Sequence, residues 1–434
     1  MNNHMDIPWH EYTKVNSKVK IEDASLTEKS SVIGRIGLML LACGTGAWRV
    51  RSSMNTIASE LNITCIADIG LTNISYTCID GIESHAQSLS LHNTSVNTSK
   101  LARMEDFVYH FKDECKTCTC NEIHDQLDQI ESIHSSYSPI ILGLAAALAC
   151  SCFTFLLGGG PIEMLCAFVG AGLGNTLRMK LIKHNYTLFL NVAASVSLAC
   201  LVYALLFNFL EACFGIATQH EAGYICSMLF IIPGFPFITS GIDLAKLDLR
   251  SGLERLAYAV IIILAATLTA WICALVLHLQ PVDFVKLHIS TSTKLLLRLL
   301  TSFGGVFGFS IMFNSSKKIA ASAGCIGAIA NTLRLTLVDL SLPAAAAAFI
   351  GALTAGLLAS MIKGNTGYPR IAVTVPSIVI MVPGLYMYRA IYNLELTSTM
   401  SIGANWLIQS LLIVLALPMG LIFARILTDP SFRY

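Results

Sequence analysis

The sequence predicts an all-α polytopic membrane protein with about ten transmembrane helices, arranged as two five-helix inverted repeats that follow a small α+β domain. Three observations predict this class. Hydrophobic residues make up 54% of the 434 residues and charged residues only 13%, about half the share that is usual in soluble proteins. Long uncharged runs succeed one another from residue 137 onward, and two short motifs recur at nearly the same offset.

The N-terminal part differs from the rest in its charge. Residues 1–136 hold 11 Lys/Arg against 17 Asp/Glu, whereas residues 137–434 hold 17 against 10. This acidic part is predicted to face water, and nothing in it indicates a nucleic-acid partner. We expect a flexible tail over residues 1–29 and a cytoplasmic α+β domain over 30–136. Because the first residues are polar and resemble no signal peptide, the N-terminus is expected to stay in the cytoplasm.

Periodicity predicts the elements of this domain. Apolar residues at helical spacing favour helices at 30–43 and 47–61, and two charged amphipathic helices at 101–112 and 121–133. Residues 63–69 and 71–79 are rich in β-branched side chains and turn at Gly70, so they are predicted to form two strands. A third short strand is predicted over 89–96.

The membrane region contains eight clear spans and two weaker ones. Each clear run provides roughly the 20 apolar residues that cross a bilayer. The weaker runs, 162–182 and 319–338, are rich in small residues that permit close helix packing. The clear spans are 137–157, 186–210, 222–242, 256–277, 299–316, 340–362, 371–388 and 396–424.

The distribution of positive charge agrees with ten spans. With the N-terminus inside, twelve Lys/Arg fall on the inner side and five on the outer side. Because Lys and Arg collect on the cytoplasmic side, this asymmetry predicts that both termini are cytoplasmic. The expected location is the inner or plasma membrane, with the protein crossing it several times.

An internal repeat divides the membrane region. Asn175-Thr176-Leu177-Arg178 returns as Asn331-Thr332-Leu333-Arg334 at an offset of 156, and Pro233-Gly234 returns as Pro383-Gly384 at an offset of 150. Two five-helix units are therefore predicted, over 137–292 and 293–434. Units with an odd number of crossings insert in opposite orientations, which is the inverted-repeat architecture of many secondary transporters.

The paired Pro-Gly motifs mark the predicted site. Proline removes a backbone donor and glycine relaxes the backbone, so each motif is expected to interrupt the fourth helix of its unit. Interrupted helices expose carbonyls and amides to a ligand near the midplane, although a simple kink is the alternative.

At these motifs the chain resembles the threonine/serine exporter family and its split relatives. The similarity covers about residues 30–425 and includes the Cys43-Gly44-Thr45-Gly46-Ala47 helix turn and the Ile232-Pro233-Gly234-Phe235-Pro236 segment. The family resemblance implies export of threonine and serine driven by the proton gradient. The split relatives imply the alternative, export of a dicarboxylate such as succinate.

Candidate site residues fall into two groups. Paired arginines could bind a substrate carboxylate or extend to the interface, and the neighbouring amides and hydroxyls could bind substrate or tie helices together. The substrate-binding candidates are Asn175, Thr176, Arg178, Pro233, Gly234, Asn331, Thr332, Arg334, Pro383, Gly384 and Tyr388. The proton-coupling candidates are Asp243, whose counterpart at the offset of 150 is Asn393, and Glu163; a water-facing helix-terminal carboxylate is the alternative for Asp243.

The sequence gives no reason to expect an enzyme. It contains no nucleophile elbow, P-loop, dinucleotide fingerprint or HExxH motif, and no cofactor is expected. Cys115, Cys118 and Cys120 lie near His110 and His124, but no distant cysteine pair completes a zinc site, so no metal is predicted either. A membrane-embedded enzyme or sensor is the less favoured alternative. The expected partners are a small polar substrate and lipid, and a homo-oligomer is left open.

Overall fold

The computed structural model describes residues 7–12, 19–92, 94–133, 137–215, 223–279, 284, 289–366, 370–395 and 399–430. They form two compact units. The N-terminal unit comprises the described residues up to 133 together with Thr239–Arg255, and the membrane unit comprises Tyr137–Ile238 and the described residues from Leu256 onward.

Four helices and one sheet build most of the N-terminal unit. A capping box between Ser25 and Glu28 begins the first helix, and Thr119 with Glu122 begins the fourth in the same way. The elements are α1 (Leu26–Ala42), α2 (Ala47–Glu60), β1 (Thr64–Ile69), β2 (Asn73–Asp80), β3 (Glu83–Ser90), α3 (Thr98–Glu114) and α4 (Cys120–Glu131).

The three strands form an antiparallel sheet in the order β1-β2-β3. Burial alternates along β1 and β2, as expected for strands with one face against helices, here α1 and α2. The prediction of the third strand over 89–96 was wrong, because the chain turns at Gly81 (φ +57°) and returns at Glu83. That strand is polar and exposed over most of its length, so it carries little hydrophobic pattern.

The residues before position 30 take part in this unit. The helix α1 begins four residues earlier than predicted, and Ile21 is completely buried. Trp9 lies over the buried guanidinium of Arg35, at 5.8 Å from the ring centroid, and Arg35 also pairs with Asp128 and Glu131. The described part of the predicted tail is therefore packed onto the domain.

Each predicted span coincides with a helix or with a pair of helices. The helices are α5 (Pro139–Leu156), α6 (Pro161–Lys183), α7 (Leu188–Phe214), α8 (Gly223–Ser227), α9 (Gly234–Ala245), α10 (Leu249–Val276), α11 (Thr291–Met312), α12 (Lys317–Asp339), α13 (Ala344–Thr366), α14 (Arg370–Val379), α15 (Gly384–Glu395) and α16 (Met400–Thr428). Residues Thr239–Arg255 belong to the N-terminal unit. They comprise the end of α9, the connection and the beginning of α10.

Among the described residues, seven helices are long and apolar enough to cross a membrane, and nine spans result if each of two bent pairs is one span. The small-residue helix α6 is 23 residues long and lies outside these nine. The chain is therefore a mostly helical, multi-pass protein with a small N-terminal sheet. The inverted arrangement of ten helices stays a prediction.

Small residues allow the membrane helices to approach closely. Helix α5 packs on α6 and α11, and α13 packs on α16. A Cβ added at Gly308 would lie 2.5 Å from the Ala145 carbonyl oxygen, and one at Gly420 would lie 2.5 Å from the Phe349 carbonyl oxygen. These crossings therefore place backbone against backbone, as is typical of membrane helix pairs.

Candidate functional site

Two bent helix pairs lie within the membrane region. The pair that contains Pro233 bends by 58° and the pair that contains Pro383 bends by 48°. Because proline has no N–H group, it cannot continue the helical hydrogen-bond ladder at either point. Both helix interruptions predicted from the Pro-Gly motifs are therefore confirmed.

The two breaks have the same backbone hydrogen bonds. The amide of Gly234 donates to the Ile232 carbonyl at 2.8 Å, and the amide of Gly384 donates to the Val382 carbonyl at 2.9 Å. Six residues before each proline, the Ser227 hydroxyl donates to the carbonyl three residues before it, and Ser377 makes the same bond, both at 2.7 Å. Both pairs keep the offset of the Pro-Gly motif, so the repeated sequence folds into a repeated structure.

The breaks also pack on each other reciprocally. A Cβ added at Gly234 would lie 3.1 Å from Val379 and 3.3 Å from Val382. One added at Gly384 would lie 2.9 Å from Leu229 and 3.1 Å from Ile232, which are the counterparts of those two valines in the first repeat. Each glycine thus packs against the equivalent pair of residues in the other repeat. Reciprocal contacts of this kind are typical of two elements related by a local twofold axis.

A second equivalent pair lies outside the breaks. The rings of Phe153 on α5 and Phe309 on α11 contact edge to face with centroids 6.4 Å apart. Their separation along the chain equals the offset of the Asn-Thr-Leu-Arg motif. Helices α5 and α11 are thus equivalent helices that meet at equivalent positions.

A tyrosine pair also joins the two broken helices. The hydroxyls of Tyr224 and Tyr388 are 2.6 Å apart, and both side chains are completely buried. Tyr388 was predicted as a site residue and Tyr224 was not. The position equivalent to Tyr224 is Thr374, so the repeat gave no signal for it.

A cavity borders the second break. Asn331, Arg334, Pro383, Gly384 and Tyr386 contribute to its lining, so four of the predicted site residues meet there. Arg334 donates to the Asn331 amide oxygen at 3.2 Å, while its buried Nε makes no hydrogen bond in the described structure. An arginine with an unused donor beside a cavity is suited to hold a carboxylate.

The counterparts in the first repeat make contacts that join helices. Asn175 donates to the Leu142 carbonyl at 2.8 Å, and Thr176 donates to the Gly172 carbonyl at 2.7 Å. Asn331 makes a similar link, donating to Ser302 at 2.9 Å. Arg178 is half-buried and is not among the residues that line the cavity. The hydroxyl of Thr332 is buried without a partner in the described structure.

The two carboxylates predicted for proton coupling lie in different settings. Glu163 is buried at the beginning of α6, where it accepts a hydrogen bond from the Gly160 amide at 2.9 Å. Asp243 is completely buried in the N-terminal unit, where its Oδ2 accepts from the Ala47 amide at 3.1 Å and from Ser251 at 3.0 Å. Arg255 lies 3.3 Å from the same carboxylate. Asp243 therefore does not face water, contrary to the alternative considered for it.

The cysteine cluster of the N-terminal unit is divided among separate partners. Cys115 donates to Gln126, Cys118 to the Glu114 carbonyl and Cys120 to the Glu28 carbonyl. Burial raises the pKa of both Cys115 and Cys120 to about 12, so these two thiols are protonated at neutral pH. A metal would need thiolates directed at a common point.

Two family descriptions match the chain in succession. "Putative threonine/serine exporter" matches residues 31–277, more than half of the chain, and "Threonine/Serine exporter, ThrE" matches residues 298–427. The chain belongs to the threonine/serine exporter family. The first match joins the N-terminal unit to the first five predicted helices, and the second covers the other five.

Two relatives are similar to the chain, and the name of one agrees with this membership. A "Probable threonine/serine exporter" of Mycobacterium tuberculosis is 22% identical over 432 residues, which cover 95% of this chain and 79% of the relative. An uncharacterized protein of Haemophilus influenzae is 26% identical over 168 residues, or 35% of this chain and 56% of that protein. No solved structure matches the chain.

Proposed function

We propose that this protein exports threonine and serine by alternating access around the paired helix breaks. Membership of the exporter family supports the direction of transport and the amino-acid substrate. The observation that carries the mechanism is the reciprocal packing of Gly234 and Gly384 beside a cavity that contains Arg334. Two half-helices that meet about a twofold axis allow one repeat to rock against the other around a shared site, which alternating access requires.

In this proposal Arg334 binds the substrate carboxylate. Its guanidinium already contacts Asn331, so the amide oxygen holds it in place and leaves Nε available to an anion. The residues around the second break supply backbone groups for the ammonium and hydroxyl groups of threonine or serine. The first repeat then serves mainly as the packing partner against which the second repeat moves.

We also propose that Glu163 is the carboxylate that couples export to the proton gradient. It is buried within the membrane unit, whereas Asp243 belongs to the N-terminal unit and lies beside a buried arginine. The Asp243 carboxylate is bound by the Ala47 amide, Ser251 and Arg255, so we assign it to these contacts and not to proton transfer. With the gradient directed inward across the inner or plasma membrane, protonation of Glu163 would drive the return step.

The test is efflux from cells that express the full chain. Cells are loaded with labelled threonine, serine or succinate, and release is measured with and without an uncoupler. The expected result is release of threonine and serine that the uncoupler slows. Release of succinate alone would instead support the dicarboxylate alternative, which no observation favours at present, and release of none of the three would contradict the proposal.

A further inference from the structure

The connection between α9 and α10 is a tight helical hairpin. Ser240 on α9 donates to the Gly252 carbonyl on α10 at 2.7 Å, and a Cβ added at Gly252 would lie 2.7 Å from Leu244. The two helices therefore touch closely near their connection. We call Thr239–Arg255 the α9–α10 hairpin.

This hairpin is docked on the Gly44–Ala47 turn between α1 and α2. Arg255 donates to the Gly44 carbonyl at 3.2 Å and to the Thr45 carbonyl at 2.7 Å. Asp243 accepts from the Ala47 amide, which is at the first position of α2 and has no partner within its own helix. Each charged side chain thus binds backbone groups that the turn leaves exposed.

Any side chain at position 46 would have to displace the Asp243 carboxylate. A Cβ added there would lie 2.6 Å from Asp243 Oδ1, although the backbone of Gly46 has an ordinary φ of −67°. The requirement is therefore for space and not for backbone freedom. A contact with a residue in a distant part of the sequence therefore explains the second glycine of the Gly-Thr-Gly turn.

Weaker contacts surround the buried pair. Arg51 on α2 pairs with Asp248, Arg250 pairs with Asp68, and Glu254 accepts from the Leu71 amide at 2.6 Å. Arg250 and Asp68 are both about half exposed, so their pair contributes little by itself. The centre of the interface is the Asp243–Arg255 pair, in which both side chains are almost completely buried.

The docked end lies on the same helix as the first break. Helix α9 begins at Gly234, directly after Pro233, and is continuous to Ala245. Asp243 lies between two and three turns further on, roughly 14 Å along the helix axis. In the second repeat the equivalent residue is Asn393, whose side chain donates to its own helix at the Arg389 carbonyl.

We propose that Asp243 and Arg255 are positioning residues that fix α9, the half-helix after the first break, by docking the α9–α10 hairpin on the Gly44–Ala47 turn. This rests on the proposed export function. The docking holds one of the two half-helices still, so that the conformational step of export is a movement of the other one. Neither residue contacts the substrate.

The test combines amide hydrogen exchange with efflux kinetics on the full chain. Arg255→Gln removes the pair, whereas Gly46→Ala keeps both charges and displaces the Asp243 carboxylate by one methyl group. In both variants, exchange in the peptide that contains the Ala47 amide should become at least tenfold faster. Maximal threonine efflux per molecule should fall at least tenfold, with the half-saturating internal concentration unchanged within about twofold. The matched control Arg250→Gln removes an exposed pair of the same hairpin and should leave both readouts within twofold of wild type.

Three outcomes would overturn the proposal: slow exchange at Ala47 in both variants, normal efflux despite fast exchange, or a rise in half-saturation with maximal efflux unchanged. If Arg255→Gln fails to accumulate, Gly46→Ala decides. A wild-type chain that exports neither threonine nor serine would overturn the proposed function instead. The exchange comparison would then decide by itself whether the pair docks the hairpin.

Discussion

The first and second breaks are alike at their centres and different beyond them. Both have a glycine amide that donates to the residue before proline, and a serine six residues before the proline that donates to a backbone carbonyl. Beyond the first break, α9 ends in a buried ion pair that is docked on the N-terminal turn. Beyond the second, Tyr386 and Arg389 pack on Trp406, with ring centroids 4.8 Å apart and a guanidinium 5.2 Å from the ring.

This comparison distinguishes the structural features that both copies share from those that only one copy has. The backbone geometry of a broken helix depends on proline, glycine and close packing, and both copies keep these residues. The side chains around the break decide chemistry and attachment, and there the copies differ: the cavity with Arg334 lies at the second break, and the docked hairpin follows the first. We interpret the second copy as the substrate side and the first as the anchored side.

The largest expected effect that separates the copies is at the two paired arginines. Arg334→Gln removes a charged donor from the cavity and should raise the half-saturating threonine concentration roughly 30-fold, the equivalent of about 2 kcal/mol for a hydrogen bond to a charged group. Arg178→Gln, the matched variant in the first copy, should change it less than threefold. Efflux kinetics at several internal concentrations provide the measurement, and equal effects would contradict the assignment of the substrate to the second copy.

A smaller effect is expected at the Tyr224–Tyr388 pair, where the two copies meet at positions that are not equivalent. Tyr224→Phe or Tyr388→Phe leaves one buried hydroxyl without its partner and should lower the free energy of unfolding by about 1 to 2 kcal/mol. The double variant removes both hydroxyls and should recover most of that loss. Thermal unfolding of the four proteins in detergent measures the cycle, and additive losses would show that the hydroxyls do not depend on each other.

The smallest effect concerns the N-terminal unit and its dependence on pH. Burial, reinforced by Arg35 and His10, lowers the pKa of His124 to about 3. The folded state thus keeps His124 neutral while the unfolded state takes up a proton below about pH 6.5, so stability is lost as the pH falls through that value. The loss should be about 1 kcal/mol by pH 5.5. His10 opposes it, because hydrogen bonds with Asn121 and Asp128 raise the pKa of His10.

Hydrogen exchange of α1 and α4 at pH 7.5 and 5.5, corrected for intrinsic rates, measures this dependence in the full chain. His124→Asn removes the titrating group and should flatten the profile. Faster exchange at pH 5.5 that persists in His124→Asn would assign the effect to another group.

Elements that a local sequence pattern marks could be predicted from the sequence. Both Pro-Gly motifs in apolar runs mark helix breaks, and each of the ten predicted runs coincides with a described helix or pair of helices. The third strand was misplaced because only Ala86 and Leu89 are apolar within Glu83–Ser90, so no alternating hydrophobic pattern marks it. Its pairing with β2 depends on the turn at Gly81 and not on a hydrophobic face.

Long-range contacts of the site could not be predicted from the sequence. The motif Gly44-Thr45-Gly46 was recognised as a family feature, but its partner Asp243 lies far along the chain, in α9, and was assigned to proton coupling. The position equivalent to Tyr224 in the second copy is not a tyrosine, so the repeat did not identify Tyr224. Asn175 and Asn331 share a motif, yet one bonds a carbonyl and the other a serine hydroxyl, which depends on the neighbouring helix.

The central claim is that the two breaks act together as one transport site. The direct measurement is threonine efflux per molecule from Pro233→Ala/Gly234→Ala and from Pro383→Ala/Gly384→Ala, with Pro418→Ala within α16 as the control for a membrane-helix proline. Making either helix continuous removes one of the two half-helices that meet at the proposed site, so both double variants should accumulate normally and lose efflux, while the control stays within about twofold. Normal efflux from either well-accumulated double variant would contradict the account.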